Sequence, residues 1–480
     1  MPTITLIDTV ARREDKFPLG GEIVLDLARK ASWQADKTIT DNGNAKKIGT
    51  IDKEYDIIGF SLYHQLQYLN IVPILKSFGI PLLTHDRKKG DPIICAGGAA
   101  VTSNPFPVAD FFDFILLGDA EEVFPQILKL YSKADKDLFL RRIAETFDSV
   151  LVPKYPKDSY KVAIAKDISE GLLPPLEGRQ PKIELARGCR FNCSFCLQSI
   201  IPYRENSLSA IVPILYQYAP KSIFLSANTP ASYSEFLPLL DYCKQEKIYP
   251  RGLSERLSSL SLPVLTKMKE LSMAQANIGI EGYSERLRQM IGKPISKEKL
   301  ISKLYQLQRY IPILSVNFIS HLPTVNLDDV LEFKETMETV LSQRDKEGWK
   351  TGYDFTTTPL IARPHTPMEL CPYVEEKAEG LADSARISLL DQFTSVKMKF
   401  SMSAARRKME FLLSRGDESF RDLFIKTHSK YPTYYFHQTF AEKILTHPCP
   451  SGGGDGFADG LNVDYWLSAE VYPHWHRISF

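Results

Sequence analysis

The sequence predicts an α/β protein of several parts: a doubly wound sheet over residues 1–135, a connector over 136–180, a complete or partial βα barrel over 181–375, and a mostly helical extension over 376–480. Three observations predict it. Short apolar runs alternate with helix-favouring segments through the first two parts, the pattern of parallel sheets covered by helices. Several of those runs end in a small residue, where a strand would pass into a loop. At 480 residues the chain also exceeds one ordinary domain, so two or three are expected.

In order, residues 3–10 read as a first strand and 22–31 as the helix after it. Residues 55–61 form a buried parallel strand ending at Ser61, followed by a helix over 67–78 that Gly79 stops. Residues 92–98 run into Gly97 and Gly98, and 111–118 into Gly118, with a helix over 119–130. Open sheets of this kind bind ligands beyond the carboxyl ends of their strands. Ser61, Gly97, Gly98 and Gly118 sit at such ends, either approached by a ligand or making tight turns. From residue 181 the pattern resumes, with strands over 183–187, 222–226, 275–281, 313–320 and 353–358 and helices over 211–218, 263–271 and 297–310. In a βα barrel, chemistry lies at the carboxyl ends of the strands.

The first of these later strands leads into Gly188 and then Cys189, Cys193 and Cys196 in C-x3-C-x2-C spacing. Three thiolates on one short loop suit a soft iron–sulfur cluster. A structural zinc site wants four ligands, and no fourth Cys or His lies nearby in sequence. A [4Fe–4S] cluster held by three cysteines leaves one iron open to another ligand. The alternatives are three unrelated cysteines, or half of a zinc site completed from afar.

This loop resembles that of the radical S-adenosylmethionine (radical SAM) superfamily, with Phe195 in the aromatic place before the third cysteine. The resemblance implies that the amino and carboxylate groups of SAM chelate the open iron. It continues at Ser226 and Asn228, which stand where many members carry Gly-Gly-Glu, without those glycines or that acid. It also implies that Arg256 pairs with the SAM carboxylate and that Glu281 and Arg288 help hold SAM; the alternative for that pair is a structural salt bridge. His321 and Thr324 replace both glycines of a Gly-Leu-Pro-Gly turn. The proline-stiffened segment around His365 matches the exit of the last strand, where a loop-stabilising histidine is expected.

The first 135 residues resemble the cobalamin-binding domain that precedes many radical SAM domains, through Phe60-Ser61, Cys95 to Gly98, Ser103 to Pro105 and Gly118 to Glu121. Ser61, Gly97, Gly98 and Gly118 are thereby implied as cofactor contacts. The family's Asp-x-His-x-x-Gly signature is missing, so two readings stand: cobalamin held without that histidine, or a domain that holds none. His64 and His85 are expected to be ordinary loop or surface residues.

The implied activity is reductive cleavage of SAM at a [4Fe–4S] cluster, with cobalamin-dependent methylation of an unactivated carbon or phosphorus of a small-molecule or peptide-derived substrate. An electron donor such as flavodoxin or ferredoxin is implied too. Alternatives are cobalamin-free radical rearrangement, cyclisation or thioether chemistry, and a non-catalytic iron–sulfur or metal-binding protein. A net charge of +1 gives no broad field for nucleic acid or an anionic membrane. No run approaches ~20 apolar residues. Seven cysteines, an odd number with three clustered, argue against a disulfide framework and fit a reducing cytoplasm. In the extension, Arg406, Arg407 and Lys408 are expected on a solvated face, 451–456 as a flexible glycine tract, and the aromatic tail as outside packing or a cap.

Overall fold

A computed structural model describes residues 1–9, 18–39, 55–173, 181–374, 393, 396–400, 404–430, 468, 471 and 473–480. The part of the helical extension over 376–392, the glycine tract 451–456 and most of the aromatic tail lie outside them. The chain forms two compact units, one of residues 1–166, 363–365 and 405–480, the other of 167–362 and 366–404.

The first unit is built on the strands β1 (Thr3–Asp8), β2 (Gln34–Ile39), β3 (Ile57–Ser61), β4 (Ile93–Gly97), β5 (Phe114–Leu116) and β6 (Val150–Leu151), mostly apolar except for β2. They lie side by side in the order β2-β1-β3-β4-β5-β6, parallel except for β6. Among the connections are α1 (Leu19–Lys30), α2 (Ile71–Ser77), α3 (Ala99–Ser103), α4 (Phe124–Leu130) and α5 (Lys136–Thr146). The order 2-1-3-4-5 puts a ligand crevice at the carboxyl ends of β1 and β3. Asp8, Ser61 and Gly97 stand there in one register row. Strand β7 (Tyr160–Lys161) follows.

The second unit contains β8 (Lys182–Glu184), β9 (Ala186–Arg187), β10 (Arg204–Glu205), α6 (Leu208–Tyr218), β11 (Ser222–Ser226), α7 (Phe236–Gln245), β12 (Tyr249–Arg251) and β13 (Ser254–Glu255). There follow α8 (Leu262–Glu270), β14 (Gln275–Glu281), α9 (Glu285–Met290), α10 (Lys297–Gln308), β15 (Ile313–Ser320), α11 (Leu327–Lys346), β16 (Gly352–Pro359) and β17 (Val396–Phe400). Helix starts are set locally: Ser207, Ser284 and Ser296 accept amides of the first turns of α6, α9 and α10, and Asn326 and Asp329 cap α11 reciprocally.

Alternation decides which strand face is covered. Ala276, Ile278 and Ile280 of β14 join one apolar core with Leu314, Val316 and Phe318 of β15 and Tyr353 and Phe355 of β16. Full burial of such a side chain stabilises the fold by roughly 1.5–3 kcal/mol. The intervening residues, among them Gly279, Glu281, Asn317 and Thr356, are less covered.

The parallel strands lie in a three-stranded sheet, β12-β11-β8, and a five-stranded sheet, β13-β14-β15-β16-β17, rather than in one closed ring. The break falls at Gly252, which has φ +88° and leaves no room for a Cβ beside the ring of Phe224. There the chain leaves β11 and resumes beside β14.

The first unit continues in α12 (Ala404–Arg415), α13 (Phe420–Lys430) and β18 (Ile478–Ser479), which pairs with β7. Met409, Leu412, Leu413, Phe420 and Trp475 join that unit's core. Among the described residues no helix is long and apolar enough to cross a membrane.

Candidate cluster and cofactor site

The cysteine loop leaves the first strand through Gly188, whose φ of +76° and close approach to the Ile201 and Pro202 carbonyls exclude a side chain. Asn228, two residues beyond β11, donates through Nδ2 to Gly188 O (2.7 Å) and Gln198 Oε1 (3.1 Å). Ser199 Oγ donates to the carbonyls of Cys193 (3.2 Å) and Cys196 (2.6 Å). The far side is fixed by Ser194, whose amide donates to Ile291 O at 3.1 Å.

All three thiols are free; Cys193 is buried, Cys189 and Cys196 partly so. Burial pushes the Cys193 and Cys196 thiols up, and the neighbouring thiols add to it. Lys293 and Arg256 pull Cys193 the other way, as Lys293 and the Gln198 amide do Cys196. Arg256 Nη1 lies 3.5 Å from Cys193 Sγ, its Nη2 donates to Gly292 O at 3.0 Å, and its guanidinium stacks over Phe191. Among the described residues no three His, Cys, Asp or Glu side chains gather as a single metal ion needs. A four-iron cluster has no such need, because each thiolate takes a different iron. Three thiols beside two cations therefore fit an anionic cluster.

Glu281 ends β14 just past a register shift and has φ +66°. Its Oε1 accepts from Lys293 Nζ at 3.1 Å, and the same ammonium donates to Gly279 O at 3.0 Å. Arg288 lies elsewhere. It is fully buried, donating to the carbonyls of Gly282, Tyr283 and Ile295 and pairing with Glu332 at 3.2 Å. Its place is a brace for the segment that holds Glu281. Ser226, on the less covered face of β11, stands beside Glu184 of β8.

Beyond β15, His321 and Thr324 adopt φ +61° and +64°. They keep a glycine-type turn without glycine, and Arg286 steadies it by donating to both Oγ1 and O of Thr324. Non-glycine residues held in this region concentrate at functional sites. Here Glu281 stands at the end of β14, and His321 and Thr324 follow the end of the adjacent strand β15.

In the first unit, a Cβ on Gly97 would meet only Leu116 O, at 3.8 Å, so that strand end is open. Gly98 and Gly118 are pressed instead against their own chain, at Leu62 O and Ala163 O, and both have positive φ. Their lack of side chain serves packing. His64 is engaged at both nitrogens, by the Leu66 amide and by Glu410 at 3.2 Å, and burial lowers its pKa. His365 Nε2 bonds Ser103 O at 2.9 Å, a loop-stabilising contact. Ser103 Oγ is buried with no hydrogen-bond partner in the described structure.

Sequence reasoning overlooked Lys293, Gly292 and Glu255. Gly292 has φ +74° and abuts Asn192 O, so it lets the second unit close on the cysteine loop. The dipeptide Gly292-Lys293 following a helical run is its only sequence signal.

Two family models match the chain: "Radical SAM proteins, N-terminal" over residues 46–153 and "Radical SAM superfamily" over residues 183–337. The chain belongs to the radical SAM superfamily. It is 24% identical over 425 residues to an uncharacterized protein of Methanocaldococcus jannaschii, covering 82% of this chain and 84% of that one. In fold it is similar to the radical SAM methyltransferase TsrM from Kitasatospora setae, solved with cobalamin and a [4Fe–4S] cluster bound (TM-score 0.56, 10% identity, 77% of each chain). It is also similar to the cobalamin-dependent radical enzyme OxsB with aqua-cobalamin and SAM bound (TM-score 0.55, 16% identity, 90% of this chain and 62% of that one).

One consequence concerns Asn228. Its removal in Asn228→Ala costs about 1–2 kcal/mol by deleting two hydrogen bonds from the loop. Iron is expected to load to the wild-type level but to pass to a chelator roughly 5–30-fold faster.

Proposed function

We propose that this radical SAM enzyme methylates an unactivated carbon, or phosphorus, of a small-molecule or peptide-derived substrate, with cobalamin as its second cofactor. The observation that carries the reading is the loop of Cys189, Cys193 and Cys196 held against Arg256 and Lys293. Its likeness in fold to TsrM and OxsB supports the cobalamin part.

Cys189, Cys193 and Cys196 would hold a [4Fe–4S] cluster, and Ser226, Arg256 and Glu281 would bind SAM. Ser61 and Gly97 would face cobalamin. When bound, these groups supply one-electron cleavage of SAM and a transferable methyl group. The protein's own residues do the rest. Arg256 and Lys293 compensate the negative charge gathered at the thiolates. Glu281, tied to Lys293, is oriented before any ligand arrives. Asn228 and Ser199 keep the loop from shifting. An electron donor such as flavodoxin or ferredoxin, and a cytoplasmic setting, complete the proposal.

The test is turnover of the anaerobically reconstituted protein with SAM and a strong reductant, with and without hydroxocobalamin. Release of 5′-deoxyadenosine is expected in both arms, and of S-adenosylhomocysteine only with hydroxocobalamin. S-adenosylhomocysteine equal in both arms would contradict the cobalamin part, and no SAM consumption in either would contradict the whole.

A further inference from the structure

Glu255 ends β13 and is only 3% exposed. One oxygen, Oε1, accepts the amide of Ala231 at 2.8 Å. The other, Oε2, has no hydrogen-bond partner in the described structure. A carboxylate in that setting would carry a buried charge with half its acceptors empty, so the neutral acid is favoured. Burial, against the pull of the Ala231 amide, accordingly pushes this carboxyl up to about 8.

The charged groups around it are engaged elsewhere. Arg256, next in sequence, turns to Cys193 and Gly292. Glu281, at the end of neighbouring β14, is held by Lys293. The turn Pro230–Ser232 that covers Glu255 contains no ionisable side chain. Beyond it, Glu235 accepts the Leu208 amide and Glu205 takes Arg190, Tyr203 and Ser234.

Ala231 belongs to the loop that begins at Ser226 and contains Asn228. That loop is thus fixed at one point by Glu255 and at another grips the cysteine loop through Asn228. We propose that Glu255 is a positioning residue for SAM binding, a buried side chain that clips the 226–232 loop through Ala231 so that Ser226 and Asn228 stay in place. This rests on the radical SAM reading.

Ionisation puts a charge into the apolar setting and draws water to Oε2, which loosens the clip. The sign for folding follows. Between the ordinary value of 4.5 and about 8 the folded chain keeps a proton that the unfolded chain loses, so this group's contribution falls as pH rises across that window and is level above it.

The experiment measures SAM affinity of the iron-reconstituted full chain by calorimetry at pH 7 and pH 9, for wild type, Glu255→Gln and Glu255→Ala. At pH 9 the neutral form is down to about one part in ten, so wild-type affinity relative to that of Glu255→Gln is expected to drop about tenfold between the two pH values. SAM's own amino group also loses its proton in this range, and Glu255→Gln, which keeps the acceptor for Ala231 and cannot ionise, carries that effect alone. Glu255→Ala is expected to bind weakly at both; should it fail to fold, the glutamine variant decides alone. A glutamine variant whose pH dependence equals that of the wild type overturns the assignment while leaving the enzyme reading intact. Wild-type protein that takes up neither iron nor SAM at pH 7 overturns both.

Discussion

Cys193→Ala is expected to reduce bound iron from about four per chain to below one, with loss of the visible thiolate-to-iron absorption. Cys193 is the most enclosed of the three thiols, and its sulfur is the one that Arg256 reaches. Without it the loop offers two thiolates, and the charge of Arg256 faces an apolar methyl group. The fold itself should survive. One buried sulfur is lost, well short of the roughly 2–5 kcal/mol that follows truncation of a whole buried Leu or Ile. Iron analysis and thermal unfolding of the metal-free protein separate the two effects. Unchanged iron would mean that the cluster, if any, is held elsewhere.

Arg288→Ala is expected to act on stability rather than on metal. The guanidinium satisfies three backbone carbonyls and Glu332 in a fully buried position. Removing one partner of such a set costs about 3–5 kcal/mol, somewhat less here because Glu332 keeps some contact with water. Lysine is no substitute, since a point charge cannot serve four acceptors spread across a planar fork. Denaturant unfolding of Arg288→Ala and Arg288→Lys, both well below wild type, is the expected result. A wild-type midpoint with weakened SAM binding would restore Arg288 to the ligand site.

These two residues also show what the sequence could and could not reveal. The cysteine loop was legible because thiolate spacing is itself the chemistry, and the small residue before it reports the turn that Gly188 makes. Most of the strand and helix succession was legible from apolar runs alternating with helix-favouring segments, but β2 was not, and the segment 136–180, read as a connector, holds α5, β6 and β7. Arg288 was not, because a motif fixes the position of an arginine but not which way its side chain turns; the carbonyls it serves are created by the fold. Glu255 and Lys293 likewise have no local pattern, and their meaning comes from Ala231 and Glu281 brought beside them. Gly98 and Gly118 invited a ligand reading that also suits the tight packing they turn out to make. The break at Gly252 shows the same limit: the strand pattern predicts a complete or partial barrel, and the strands lie in two sheets.

The central claim is best tested by anaerobic reconstitution with iron, sulfide and hydroxocobalamin, followed by desalting, a visible spectrum and counts of iron and cobalt. About four irons and one cobalt per chain are expected, with iron lost when Cys189, Cys193 and Cys196 are all replaced by alanine. Iron that fails to bind, or that persists in the triple variant, would contradict it.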